Sequence, residues 1–288
     1  MIIEQKINYM GFGYTYRISM NSNDNCILIL GGALQRIASW DRFFDIYKEQ
    51  FDVLVCDLPG MGDSDVLPST YPMEFLVDCL KHLLDELKIN EVMIQSSSYG
   101  TPVAYLFSEK YPEKISKIIM AGTMSQIPES LKDSTSQSIY YIYKNELDKA
   151  AELFVHMFMN VDNIELINNG HVTRKLLMRS VTKMSEHNRL NYIQNTKRLL
   201  NSPRLTYSNP PRKSFLIFTG EYDLYTSPAR CWDVAMNLPV VSFTTIKNAD
   251  HLINLEQFDT CIQICSTFFS GGDLTCIPKL SNIKHMTV

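Results

Sequence analysis

Short apolar runs alternate with segments of helical periodicity along most of this sequence. The runs contain few polar positions, which is typical of strands that are buried on both faces. Such an alternation predicts an α/β fold with a mostly parallel, doubly wound sheet that carries helices on both faces. The predicted strands of this kind cover residues 26–30, 51–56, 92–94, 115–122, 214–218 and 240–246.

The two ends of the sequence depart from this alternation. Near the start, Ile3–Asn8 and Tyr14–Ser19 alternate apolar with polar residues and are joined through two glycines. These segments predict an antiparallel hairpin at the edge of the sheet. At the other end, we expect the residues from Gly271 onward to be loosely held.

The alternation is also interrupted once, after the sixth predicted strand. Residues 124–212 contain no convincing strand and are dense in tyrosine, methionine and leucine. They predict a helical lid that is inserted into a core made of residues 1–123 and 213–288. The helices predicted in the lid cover residues 136–143, 146–159, 172–184 and 187–200.

Composition narrows the class of protein. The chain has 288 residues, 45% of them hydrophobic, which suffices for a sizeable core, and its net charge is only -4. No long basic run favours a nucleic-acid or anionic-membrane partner, and no stretch reaches the roughly 20 apolar residues of a membrane span. The start lacks the pattern of a signal peptide, and seven scattered cysteines favour a reducing cytoplasm. The oligomeric state is left open.

The predicted strand at residues 92–94 passes into a helical pattern almost at once, with Pro102 near the first helical turn. A chain that turns so sharply pushes the residue at the turn into a strained conformation and holds its side chain out from the sheet. The pattern of such a nucleophile elbow is Gly-x-Ser-x-Gly, and residues 96–100 read Ser-Ser-Ser-Tyr-Gly. Spacing favours Ser98, because the residues two before and two after it are small.

A second interpretation of the three serines stays open at this point. They can form a polar turn whose hydroxyls cap the amides of the following helix. The choice depends on the residues at the ends of the other strands, because ligands of parallel sheets bind beyond the carboxyl ends of the strands. The residues found there are Gly31–Ala33, Ser98, Asp223 and His251.

The order serine, acid, histidine along the chain is that of an α/β-hydrolase triad. Over nearly its whole length the chain resembles the α/β-hydrolase superfamily, including the helical lid after the sixth strand. The motifs that carry this resemblance are Gly31-Gly32, Asp57-x-Pro59-Gly60-x-Gly62-x-Ser64, the run 96–100, Gly220-x-x-Asp223 and Asp250-His251.

Each candidate residue has a role that its chemistry suits. Ser98 would be the nucleophile, His251 the base that activates it, and Asp223 the acid that fixes the imidazole tautomer. The resemblance implies that the backbone amides of Tyr99 and Ala33 form the oxyanion hole. No metal or organic cofactor is implied.

Other carboxylates compete for the role of the acid. Glu221 lies two residues before Asp223, but Gly-x-x-Asp is the spacing of the family that the chain resembles. Asp250 directly precedes His251, so we expect its side chain to point elsewhere. Asp57 and Asp63 are expected to structure their loop.

The substrate is less constrained than the chemistry. Apolar lid residues, among them Phe154, Phe158 and Leu176, either form an acyl pocket or pack the lid helices together. The elbow, the Asp57 loop, Gly220-x-x-Asp223-x-Tyr225-Thr226 and His251-x-x-x-Leu255-Glu256 also resemble the bacterial synthases that join two hydroxyacyl chains into the lipid precursor of rhamnolipids.

Two functions are consistent with these patterns. The first is an enzyme with an acyl-serine intermediate, an esterase, thioesterase or acyltransferase, that takes a small acyl ester or thioester, which can be bound to a carrier. The second is a non-catalytic ligand-binding protein of the same fold.

Overall fold

The computed structural model describes residues 2–21 and 25–287. Within these residues, nine strands form one sheet. The strands are β1 Ile2–Tyr9, β2 Phe12–Ser19, β3 Cys26–Leu30, β4 Asp52–Asp57, β5 Val92–Ser97, β6 Ile115–Ala121, β7 Ser214–Gly220, β8 Val240–Ile246 and β9 Lys284–Thr287. Their order in the sheet is β1-β2-β4-β3-β5-β6-β7-β8-β9. Strands β3 to β8 are parallel, whereas β1, β2 and β9 run antiparallel to their neighbours.

Helices cover both faces of the sheet. They are α1 Asp41–Tyr47, α2 Met73–Glu86, α3 Gly100–Lys110, α4 Glu129–Tyr143, α5 Leu147–Phe158, α6 Gly170–Thr182, α7 Glu186–Asn201, α8 Pro228–Ala235, α9 Ile253–Glu256 and α10 Phe258–Phe269. One apolar core lies between the sheet and α2, α3 and α8, and a second lies between the sheet and α1 and α10. The predicted fold, a mostly parallel sheet with helices on both faces, is therefore confirmed.

Across residues 2–21 and 25–287, no helix is long and apolar enough to cross a membrane.

The prediction of a loosely held C-terminal end is wrong. Strand β9 pairs antiparallel with β8 and completes that edge of the sheet. Before it, Leu274, Ile277 and Leu280 are buried in the second core. These three apolar residues are spaced three apart and hold the segment against the core. The strand itself is short and largely exposed, so its sequence lacks the alternation of apolar and polar residues that predicts a strand.

Helices α4 to α7 lie one after another between β6 and β7. Their mutual packing buries an apolar cluster of their own, to which Phe154, Leu177 and Tyr192 belong. Helix α4 begins at Glu129, seven residues before the predicted start, because its first two turns are mostly polar. The boundaries of the lid at residues 124 and 212 stay a prediction.

Helix α7 is tied to the core loop that precedes α2 by a row of polar side chains. His187 Nε2 lies 2.9 Å from the carbonyl oxygen of Ser64, and Asn195 Nδ2 donates to the carbonyl oxygen of Gly60 at 2.6 Å. The row occupies one face of the helix, because its members lie three or four residues apart. They are His187, Asn191, Asn195 and Arg198.

Arg198 is the most deeply buried charged member of this row, with 1% of its surface exposed. All five of its donors are used: Nε binds the carbonyl oxygen of Tyr71 at 2.7 Å, Nη2 binds those of Leu67 and Pro68, and Nη1 binds Tyr99 Oη and Asn195 Oδ1. A buried guanidinium is tolerated only when its donors are satisfied in this way. Arg198 therefore holds α7 against the residue directly after Ser98.

We expect Arg198→Met to lower the free energy of unfolding by about 3 kcal/mol, because it leaves several buried acceptors without donors. Urea unfolding monitored by circular dichroism measures this change. Lys197→Met is the matched control, since Lys197 is exposed on the same helix and its loss should change stability by less than about 0.5 kcal/mol. Equal unfolding midpoints for the two variants would contradict the prediction.

Candidate active site

The turn after β5 has the backbone of a strained elbow. Ser98 has a φ of 46°, in the left-handed region that non-glycine residues rarely adopt. Its amide donates to the carbonyl oxygen of Ala121 at 2.9 Å, which ties the turn to the end of β6. A Cβ at Gly100 would lie 2.7 Å from the carbonyl oxygen of Leu30, so only glycine fits two residues after the serine.

Ser96 stands where the elbow pattern has glycine, and its surroundings accommodate the extra atoms. The side chain is fully buried and its Oγ donates to the carbonyl oxygen of Ile119 at 2.6 Å. The three serines do not cap the following helix, since α3 has no side-chain hydrogen bond at its N-cap. The capping interpretation is therefore not supported, and Ser98 is the residue at the strained position.

The carboxylate of Asp223 lies in a closed cage of donors. Its Oδ1 accepts from the amides of Tyr225 and Thr226, both at 2.8 Å. Its Oδ2 accepts from the hydroxyls of Thr219 and Thr226, both at 2.6 Å, and lies 2.9 Å from His251 Nδ1. Because a carboxylate can only accept, Nδ1 carries the proton and Nε2 of the neutral ring is left as an acceptor.

Asp223 and His251 shift each other's pKa in opposite directions. Burial alone would raise the pKa of the Asp223 carboxyl, but the imidazole and the two threonine hydroxyls outweigh it and hold that pKa below its ordinary value. Burial likewise opposes a charged imidazole, yet the charge and hydrogen bond of Asp223 hold the pKa of His251 above 6.5. The arrangement favours an imidazole that can take up a proton.

Aromatic rings surround the imidazole of His251. Phe158, at the end of α5, stacks on it with ring centroids 5.3 Å apart, and Tyr225 meets it edge-on at 5.6 Å. Only 7% of the histidine side chain is exposed. The inserted helices thus help to fix the ring, and no local sequence pattern predicts this contribution.

Ser98 and His251 approach the same short segment at the end of β6. Ser98 is bonded to Ala121, and a Cβ built on the next residue, Gly122, would lie 3.5 Å from Cε1 of His251. In the part of the chain that the structure describes, no hydrogen bond joins Ser98 Oγ to His251. Such contacts often form only when substrate binds.

Two backbone amides near Ser98 have no acceptor. No hydrogen bond within residues 2–21 and 25–287 uses the amide of Ala33 or that of Tyr99. A Cβ added to Gly32 would lie 3.3 Å from the Cβ of Ser98, so the loop after β3 runs directly beside the elbow. Free amides on both sides of a serine are what an oxyanion hole requires.

The other acids near the histidine have different partners. Asp250 turns its carboxylate to the amides of His251 and Asn160, and Glu221 accepts from the amide of Asn248 at 3.1 Å. Glu256, the last residue of the motif that begins at His251, accepts from the amide of Asp250 at 2.6 Å. Burial raises the pKa of Glu256 to about 8 and that of Asp250 to about 6.

Asp57 structures its own loop and does not contact the Asp223–His251 pair. Its carboxylate accepts from the amide of Ile37 at 3.2 Å, and its carbonyl oxygen accepts from the hydroxyl of Ser64.

Cys261 and Cys265 are buried in the second apolar core. Among the described residues, no group of three or more His, Cys, Asp or Glu could hold a metal ion.

A cavity of about 400 Å³ opens at Ser98 and runs between α3 and the segments that flank the inserted helices. It is not lined by the lid residues that the sequence suggested. Phe154 is buried among the inserted helices, where it packs on Tyr192, and Phe158 packs on His251. The apolar lining of the cavity instead includes Met73, Leu106, Met124, Ile127, Leu199, Leu205 and Tyr225.

Curated relatives match only part of the chain. Epoxide hydrolase 4 of Mus musculus is 26% identical over 117 residues, which is 40% of this chain and 33% of that protein. The 2-hydroxy-6-oxononadienedioate/2-hydroxy-6-oxononatrienedioate hydrolase of Escherichia coli is 27% identical over 124 residues, 40% of this chain and 43% of the relative. The chain therefore spans less than half the length of the curated relatives it matches.

Solved structures match nearly all of the chain. An α/β hydrolase from a Medee basin deep-sea metagenome library superposes with a TM-score of 0.82 at 22% identity, over 93% of this chain and 98% of that one. The enol-lactonase of Burkholderia xenovorans superposes with a TM-score of 0.79 at 17% identity, over 92% and 100%. At this identity the likeness shows the fold.

The family is shown by a match along the sequence itself. A family model described as "alpha/beta hydrolase fold" matches residues 25–258, which include the elbow, Asp223 and His251. The resemblance that the motifs indicated is thereby confirmed, and we conclude that this chain belongs to the α/β-hydrolase fold family.

Proposed function

We propose that the protein is a serine hydrolase that acts on an ester or thioester through an acyl-serine intermediate. The observation that carries the proposal is the 2.9 Å contact between Asp223 and His251 at the sheet edge where Ser98 occupies the strained elbow. A buried acid–imidazole pair beside a partly exposed turn serine is the arrangement that activates a hydroxyl.

The proposed mechanism uses these groups in sequence. His251 Nε2 takes the hydroxyl proton as Ser98 Oγ attacks the carbonyl carbon, and the oxyanion accepts from the amides of Ala33 and Tyr99. Collapse breaks the bond to the alcohol or thiol, which leaves with the proton from His251. Water then loses a proton to His251 and attacks the acyl-serine, which releases the acid and restores Ser98.

The final acceptor decides between hydrolysis and acyl transfer. The relatives carry names such as "hydrolase" and "Poly(3-hydroxyalkanoate) depolymerase", the latter from Ectopseudomonas oleovorans at 27% identity over 97 residues. These names favour hydrolysis, and the second concerns hydroxyacyl esters. The resemblance to hydroxyacyl-joining synthases stays a prediction.

We expect Ser98→Ala to abolish labelling by a fluorophosphonate probe and to remove nearly all esterase activity, because the other residues of a triad contribute little without the nucleophile. In-gel fluorescence measures the labelling. Ser97→Ala is the matched control, since it removes the adjacent hydroxyl and should label like the wild type. Equal labelling of wild type and Ser98→Ala would favour the non-catalytic, ligand-binding alternative.

The activity should rise with pH, because only the neutral imidazole can act as a base. Since Asp223 raises the pKa of His251, the midpoint of the rise in kcat/KM should lie above 6.5. In Asp223→Asn, burial is opposed only by the charge of Asp250, so the pKa of His251 should fall below its wild-type value and kcat should drop by roughly 10⁴.

Nuclear magnetic resonance titration of the imidazole measures that pKa even when turnover is too slow to follow. The His251→Gln spectrum identifies the signal of His251 among those of the six histidines. An unchanged midpoint in Asp223→Asn would count against the assignment of Asp223.

Product analysis separates hydrolysis from transfer. We expect hydroxyacyl thioesters to yield the free acid, both alone and in the presence of a second hydroxyacyl molecule as acceptor. Mass spectrometry of the products measures this, with Ser98→Ala protein as the control for spontaneous hydrolysis. A dimeric ester formed only with the active protein would establish acyl transfer instead.

A further inference from the structure

A second cavity, of about 440 Å³, lies between the loop after β3 and helices α6 and α7. Its floor includes Ala33, whose amide we assign to the oxyanion hole, together with Gly60 and Gly62. Its far wall is formed by α6 and the start of α7 in the insert. A group that occupies this cavity would therefore contact the loop whose Gly32 approaches Ser98.

Three cations line this cavity: Arg36, Arg179 and Lys183. Among the residues that the structure describes, no aspartate or glutamate lines the cavity. Within the described residues, none of the three side chains donates a hydrogen bond to another residue or forms an ion pair.

One buried acid, Asp57, lies beside this cluster. Asp57 lies behind Gly62, where a Cβ would meet the Asp57 carboxylate and the Arg36 side chain together. Burial raises the pKa of Asp57 to about 7, which lowers the fraction of this carboxyl that is charged at neutral pH. The three lining cations therefore outnumber this single acid.

A buried amide beside the cavity lacks a complete set of partners. Asn191 lines it and is 4% exposed. Its Nδ2 donates to the carbonyl oxygen of Gly62 at 3.2 Å, but its Oδ1 is buried and has no hydrogen-bond partner. Buried polar atoms are nearly always paired, so this acceptor would suit a hydroxyl or amide of a ligand and not its anionic group.

Resting on the function proposed above, we propose that this cavity binds an anionic oxygen group of the substrate, a carboxylate or a phosphate, through Arg36, Arg179 and Lys183. Guanidinium and ammonium groups bind such oxyanions by charge-assisted hydrogen bonds. The first cavity would then hold the apolar part of the substrate, and the scissile carbonyl would lie between the two at Ser98.

Two pairs of substrates that differ in one charged group test this assignment. The first pair is 4-nitrophenyl hydrogen glutarate and 4-nitrophenyl pentanoate, in which the acyl group does or does not end in a carboxylate. The second is S-butyryl-4′-phosphopantetheine and S-butyrylpantetheine, in which the leaving group does or does not carry a phosphate. The quantity measured is the ratio of kcat/KM for the charged to the neutral member of each pair.

We expect this ratio to exceed one in at least one pair and to fall roughly tenfold in the double variant Arg179→Gln/Lys183→Gln. It should also fall as salt is raised from about 50 to about 500 mM, because both cations are exposed. The matched control is Lys175→Gln, an exposed cation on the same helix that does not line the cavity. Its ratio should equal that of the wild type.

The pair that responds identifies the source of the anionic group. If neither ratio changes in the double variant, the anion site is overturned, while labelling of Ser98 would leave the proposed chemistry standing. If no ester is turned over, calorimetric measurement of the binding of the same four compounds to Ser98→Ala protein still tests the anion site. Charged members that bind more tightly, with a preference lost in the double variant, support the site, and equal affinities overturn it.

Discussion

The carboxylate of Asp223 is an ionised group with 1% of its surface exposed, and the active-site end of the sheet depends on the donors that make this possible. Two amides, two threonine hydroxyls and one imidazole surround it. A buried charge without such partners would cost several kcal/mol. The same donors that stabilise the carboxylate also fix its direction, and so fix the imidazole of His251 and its tautomer.

The glycine of the Gly-x-x-Asp motif belongs to this arrangement. A Cβ at Gly220 would lie 2.2 Å from the carbonyl oxygen of Asp250, the residue before His251. The end of β7 and the loop after β8 can therefore approach each other closely enough for the acid and the histidine to meet. Only glycine permits this close approach of the two backbones, which explains why so short a motif helps to predict the position of the acid.

A structural feature could be predicted from the sequence when the residues that cause it are neighbours along the chain. The buried strands were readable because each is a continuous apolar run, and the elbow was readable because the turn at Ser98 requires a small residue at Gly100. Strand β9 was missed because it is short and mostly exposed. The row on α7 was missed because its partners are backbone carbonyls about 125 residues away, although its polar residues recur at helical spacing.

Near the end of α5 the insert contacts both His251 and its neighbour Asp250. Phe158 stacks on the imidazole, and the amide of Asn160 donates to the Asp250 carboxylate beside it. These contacts make the insert a structural support of the proposed base, in addition to lining both cavities. A chimera that exchanged residues 124–212 for those of a relative would therefore replace the residues that position His251 together with those that line the cavities. Grafting for a new specificity would have to retain Phe158 and Asn160, whatever else it altered.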